Sequence, residues 1–230
     1  MNYLLSLALL TAAIGASAQD LTRDLEPFTG LAVNSGIQAT VEQADRHRLV
    51  VTGDPEALAA LEIEQEDGHL GLGFEDERWD RLTAEQRRSV RATVYVEALE
   101  RVVVNGGAAI RSAHTWRSGF FRAVANGGGE LELRVEASDG VKVVANGGSE
   151  VHLAGATDEL DVQGNGSAVV DASGLASRRA KVMSNGGSEV SVSADERLKV
   201  MANGGSEVSY TGAVPDAQVV SIGGSKVSRG

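Results

Sequence analysis

KVVANGGSEV at residues 142–151, KVMSNGGSEV at 181–190 and KVMANGGSEV at 199–208 are nearly one decapeptide written three times. Aligned on its Asn, the motif extends to Asn105, Asn126, Asn146, Asn165, Asn185 and Asn203, with Ile222 at the seventh position. The successive spacings are 21, 20, 19, 20, 18 and 19. A period near 20 residues is the mark of a solenoid, because one such unit cannot bury its own apolar face and has to stack on its neighbours.

Residues five and three before the Asn are mostly apolar: Phe121 and Ala123, Val141 and Val143, Leu160 and Val162, Leu198 and Val200. The residue four before it is polar in every copy: Arg101, Arg122, Lys142, Asp161, Lys181, Lys199 and Gln218. This alternation is the period of a half-buried strand. The position before the Asn is small, as at Ala125, Ala145, Gly164 and Ala202. Five residues after it, or four after Asn165 where the copy is read as shortened, the chain is apolar again, at Ile110, Leu131, Val151, Val169, Val190, Val208 and Val227. Each copy therefore holds two short strands flanking a corner. The glycines supply positive φ and close backbone approach at that corner, and stacked Asn side chains can bond one another in a ladder. The expectation is an all-β chain, a β-solenoid of about seven coils.

Ahead of the repeats, residues 31–41 and 49–53 read as strands, Asp54-Pro55 opens a helical turn, and Asp67-Gly68 centres a hairpin. Residues 75–90 are charged and helix-like, with Thr83 and Gln86 spaced as a capping box before a strand at 90–96. Residues 19–96 are thus expected to form a β-rich section and cap with a charged excursion, and residues 97–230 the solenoid, since an uncovered terminal coil is an open sheet edge.

The N-terminus carries an apolar run from Leu4 to Ile14 followed by Ala16-Ser17-Ala18, the pattern of a signal peptide at residues 1–18 cleaved after Ala18. Eleven residues are too few to span a bilayer, and no other segment is apolar enough, so the mature chain is expected to be exported without a transmembrane segment, to the periplasm, the cell surface or the medium. With no cysteine there is neither a disulfide nor a lipidated N-terminal thiol. A formal net charge of −11 opposes nucleic acid and anionic membranes as nonspecific partners.

The run from Phe28 to Val41, "FTGLAVNSGIQATV", followed by "LVVTGD" and the recurrent glycine-pair strands through Val227, resembles the exported GIN-domain proteins described as auto-transporter adhesin heads. The resemblance covers about nine-tenths of the mature chain. It implies a right-handed parallel β-helix after a β-rich N-terminal section, and an adhesin-like role. The last residues, "SKVSRG", leave no room for a C-terminal membrane barrel, so self-secretion across an outer membrane is not expected.

Parallel β-helices also carry polysaccharide lyases and glycosidases, which need a base beside a cation, or two carboxylates flanking a bond. The acidic candidates here form a regular column four residues past the Asn: Glu130, Glu150, Glu189 and Glu207. Ala109, Ala168 and Lys226 complete that column when the copy at Asn165-Gly166-Ser167 is read as shortened. A catalytic site is an irregular constellation on a regular scaffold, so the column reads as a solvated face, with a cation between Glu189 and Glu207 as the sharper alternative. His47, His69, His114 and His152 have no metal-ligand spacing, and Ser149, Ser188, Ser206 and Ser225 have no accompanying His-Asp pair. No catalytic residue, metal or cofactor is expected. The binding candidates are Lys142, Lys181 and Lys199 with Glu150, Glu189 and Glu207, facing an envelope component, a glycan or a protein. A purely structural envelope role is the other reading. Val103, Val124, Val144, Gln163, Met183, Met201 and Val220, two before the Asn, either pack under the N-terminal section or through a bulge, or form an exposed partner surface.

Overall fold

The computed structural model describes residues 21–230, so the expected signal peptide lies outside the described residues. Strand accounts for 69% of the chain and helix for 6%, in a β-solenoid of about six turns. That is one fewer than the seven coils expected from the repeats.

The elements run β1 (Leu21–Asp24), β2 (Gly30–Val33), β3 (Gln38–Gln43), β4 (Arg48–Thr52), α1 (Pro55–Ala59), β5 (Leu61–Glu66), β6 (His69–Phe74), α2 (Asp76–Trp79), α3 (Ala84–Ser89) and β7 (Arg91–Val96). The coils follow as β8 (Arg101–Asn105), β9 (Ala109–Asn126), β10 (Glu130–Asn146), β11 (Glu150–Gly166), β12 (Val169–Gly186), β13 (Glu189–Asn203), β14 (Glu207–Thr211), β15 (Asp216–Ile222) and β16 (Lys226–Arg229). From β8 onward every pairing is parallel. Each long strand winds most of the way round one coil.

The first rung is laid down early. β2 lies between β6 and β8, and β3 lies between β7 and β9, all parallel. The chain then leaves for the end of the stack, returns through β6 and β7, and crosses over its first rung to begin the coils. At that end β4 pairs antiparallel with β7, β1 with β4, and β5 with β6, so the parallel edge is covered by the chain's own antiparallel strands. Asp54 caps α1 by accepting from the N–H groups of Glu56 and Ala57, and Thr83 and Gln86 complete their capping box on α3. Asp67 and Gly68 both take positive φ, as a two-residue hairpin requires.

The core is the column set read from the repeat. Phe121, Val141, Leu160 and Leu198 stack on one line and Val143, Val162, Val182 and Val200 on the next, all buried. Each contributes about 1.5–3 kcal/mol of burial. Across the corner, Ile110, Leu131, Val151, Val170, Val190 and Val208 are buried in register. The copy at Asn165 is therefore not shortened. Val169, not Ala168, pairs with Glu150 and Glu189, and Val170, not Val169, fills the core. Ala168 is buried, on the line of Ser149 and Ser188. The reason is backbone geometry. Gly147 needs its positive φ of 71°, but the next position, Gly148, is not left-handed, so Ser167 occupies the equivalent place without strain.

The coils differ in length, and the excess is confined to the two corners away from the Asn. β9 carries two extra residues between Arg111 and Thr115, and β12 carries three between Ala172 and Ala176. From Lys142 to Asn146 and its equivalents the register is unbroken.

Candidate functional site

The Asn corner fixes everything around it. Nδ2 of Asn126 donates to Oδ1 of Asn105 at 2.7 Å, Asn146 to Asn126 at 2.7 Å, Asn165 to Asn146 at 2.9 Å, Asn185 to Asn165 at 3.0 Å and Asn203 to Asn185 at 3.1 Å. The expected ladder forms, and it extends to Asn34, which accepts from Asn105. The serine column supports it from inside the coil. Ser206 Oγ donates to Ser184 O and Asn203 O, and Ser225 Oγ to Ala202 O and Ile222 O. These hydroxyls satisfy turn carbonyls.

The Lys and Glu candidates stand on opposite sides of that corner, four residues before and four after the Asn. On the Glu side the carboxylates are mostly matched. Glu130 accepts from Arg111 at 2.6 Å, Glu150 lies 2.6 Å from His152, and Glu207 accepts from Lys226 at 2.8 Å, which raises the Lys226 ammonium pKa. Val169 interrupts the column between Glu150 and Glu189. Glu189 and Glu207 are direct neighbours, yet among the described residues no group of three or more His, Asp or Glu side chains is placed to hold a metal ion.

The Lys side is different. Arg101, Arg122, Lys142, Asp161, Lys181, Lys199 and Gln218 stand in one line, each the direct neighbour of the next. Lys142 lies 3.7 Å from Asp161, while among the described residues Lys181 and Lys199 have no ion-pair partner. Two residues earlier runs a second outward line that the repeat alignment did not single out: Phe120, Gly140, Glu159, Arg179, Arg197 and Asp216. Arg179 donates to Glu159 at 2.9 Å and Arg197 to Asp216 at 2.8 Å. Between the lines is a groove of about 510 Å³, lined among others by Phe120, Lys142, Arg179, Lys181, Arg197 and Lys199. Phe120 is 52% exposed. Its ring lies across Gly140, where an added Cβ would sit 3.3 Å from the ring edge and from the Glu159 carbonyl. The missing side chain leaves room for the aromatic ring beside the strand.

The signal for Arg179 and Arg197 was one more step of the same alternation. It was hidden because the residue type at that place changes from coil to coil, through Phe, Gly, Glu, Arg, Arg and Asp.

The line two before the Asn faces outward, in unbroken register and without a bulge. Val103, Val124, Val144 and Met183 are half-buried, and exposure rises to 40% at Met201 and 49% at Val220.

A second groove of about 550 Å³ lies at the next corner, with Arg117, Glu136, Asp158 and Arg178 on its walls. Arg117 pairs with Glu136 at 2.8 Å, and Arg178 with Glu196 at 2.8 Å and Asp158 at 3.4 Å, an arrangement that raises the Arg178 pKa chiefly through Glu196. The carboxyl of Asp171 is held below its ordinary value, first by the hydrogen bond from Ser173 Oγ at 2.6 Å and in part by His152. A general acid needs the opposite shift.

No curated protein sequence matches the chain. Among solved structures, that of a "putative adhesin" from Bacteroides fragilis superimposes with a TM-score of 0.79 at 14% identity, covering 93% of this chain and 98% of that one. A "putative adhesin" from Parabacteroides merdae gives 0.66 at 17% identity, covering 94% and 97%. A "putative lipid binding protein" from Parabacteroides distasonis gives 0.58 at 15% identity, covering 92% and 96%. At these identities the likeness is one of fold. Residues 27–213 match the family described as "Putative auto-transporter adhesin, head GIN domain", and the chain belongs to that GIN-domain family.

Proposed function

We propose that the protein is an exported, non-enzymatic module of the cell envelope, which binds through the long faces of its solenoid as an adhesin does. The observation that carries this is the regularity of the charged columns. Outward positions recur once per coil at about 4.8 Å along the parallel sheet and are mostly charged, with like charges adjacent at Lys181 and Lys199 and at Glu189 and Glu207. Such a surface gathers many weak contacts with an extended partner, each coil adding a similar small increment. Catalysis places its energy in a few groups instead. The family's adhesin description agrees with this reading.

The test is binding of the purified protein to a glycan array and to isolated envelope fractions, with Ala substitutions at Lys142, Lys181, Lys199, Glu150, Glu189 and Glu207. Each single change should weaken binding modestly, and combined changes along one column should weaken it severely. Cleavage of a polysaccharide that one of these substitutions alone abolishes, with the fold intact, sinks the proposal in favour of a lyase or glycosidase.

A further inference from the structure

Resting on the envelope-binding reading, we infer that the ligand is an acidic polysaccharide, lying along the solenoid axis over Lys142, Lys181 and Lys199 with one sugar ring against Phe120. The chain is strongly acidic overall, yet five cations, Lys142, Arg179, Lys181, Arg197 and Lys199, line a single groove. Lys181 and Lys199 are direct neighbours on adjacent coils and repel each other by about 1 kcal/mol in water; Asp161, the neighbour of Lys181 on its other side, lies 3.7 Å from Lys142, and neither Lys181 nor Lys199 has a carboxylate within ion-pair distance among the described residues. An anion between them removes that repulsion. On the acidic side of the Asn corner the corresponding charges are largely neutralised within the protein.

The length of the groove selects a linear ligand. Lys142 and Lys199 are three coils apart, roughly 14 Å, beyond the reach of one small anion. Its chemistry selects a sugar chain. The exposed Phe120 ring, packed beside Gly140, offers apolar surface to the C–H side of a sugar ring. Glu159 and Asp161, between the cations, can accept from hydroxyls. An anionic membrane has no use for those two carboxylates. A neutral glycan leaves Lys181 and Lys199 unmatched.

Affinity electrophoresis of the purified protein through gels containing polygalacturonate, with neutral dextran as control, tests this. Wild-type protein should be retarded by polygalacturonate and not by dextran, and the retardation should fall as salt rises. K181A/K199A should bind about tenfold more weakly with a shallower salt dependence. F120A should bind more weakly with the salt dependence unchanged. R48A, at the covered end of the solenoid and outside both columns, should match wild type. Circular dichroism reports folding, and if the double variant is misfolded, F120A and the wild-type salt series decide.

Absence of retardation, equal retardation by dextran, or unchanged affinity in folded K181A/K199A overturns the inference. So does binding to phosphatidylglycerol vesicles in place of polygalacturonate. Envelope glycans bound independently of this groove also overturn it, and leave the envelope-binding reading standing. Scission of polygalacturonate, seen as new reducing ends, defeats the envelope-binding reading itself.

Discussion

Asn105 donates from Nδ2 to Oδ1 of Asn34 at 2.7 Å, joining residues 71 positions apart. Asn34 in turn donates to the Leu72 carbonyl at 3.1 Å, so one end of the ladder is terminated by backbone. The other end is not completed, because Ile222 stands where an eighth Asn would donate to Asn203.

An interior rung should therefore matter more than the last. Asn146→Ala removes a bond given and a bond received and should cost about 2 kcal/mol, whereas Asn203→Ala removes one and should cost about 1 kcal/mol. Ile222→Asn should raise the melting temperature by adding a rung. Equal losses at positions 146 and 203 in urea denaturation would count against a ladder acting as a unit.

Glycine tolerance should follow φ and clearance rather than the repeat motif. Gly148→Ala should be close to neutral, since no atom lies within 4 Å of the added Cβ. Gly147→Ala should cost about 1–2 kcal/mol for a left-handed residue at φ 71°. Gly155→Ala should be the worst, above about 3 kcal/mol, because its Cβ would fall 2.0 Å from the Val135 carbonyl oxygen. Thermal melts of the three variants give the order directly.

The sequence announced the Asn corner, the core columns and the solenoid, because there the register never slips and identical residues recur at identical places. It announced Lys181 and Lys199 for the same reason. Phe120, Arg179 and Arg197 escaped notice because, although they stand six residues before the corner in every coil, the column reads Phe, Gly, Glu, Arg, Arg and Asp, so no residue type repeats to mark it. Asn34 escaped for a different reason. Ser35 takes the left-handed place of the first glycine, at φ 65°, and the chain departs for the end of the stack before returning, so no 20-residue spacing marks it.

The lowered pKa of Asp171 predicts a small acid-dependent term. A carboxyl depressed below its ordinary value of 3.8 stabilises the fold above that value and loses the contribution as the pH falls through the folded-state pKa. Ser173→Ala removes the hydrogen bond that contributes most. Asp171 should then titrate nearer 3.8 in carboxylate NMR, and the variant should be less stable than wild type at neutral pH, with the difference shrinking as the pH falls through the folded-state pKa. An unchanged titration would show that another group holds the carboxylate.

The indole of Trp116 is buried, with no partner for Nε1 among the described residues. Trp116→Phe should thus lose packing volume but no hydrogen bond, costing about 1 kcal/mol, against about 3–5 kcal/mol for Trp116→Ala. A Phe variant as damaging as the Ala variant in chemical denaturation would reveal a bound partner for the N–H.

Length variation confined to two corners of each coil, with the Asn corner held in constant register, separates what can diverge from what cannot. A residue gained or lost near Ala172–Ala176 or Ala137–Val141 is absorbed locally, because the ladder re-establishes the frame before the next coil begins. A whole coil can be duplicated in the gene by the same logic, since its copy meets neighbours of the same shape above and below. Such a lineage can lengthen its reach by about 4.8 Å at a time and rewrite its outer surface without first inventing a new way to fold.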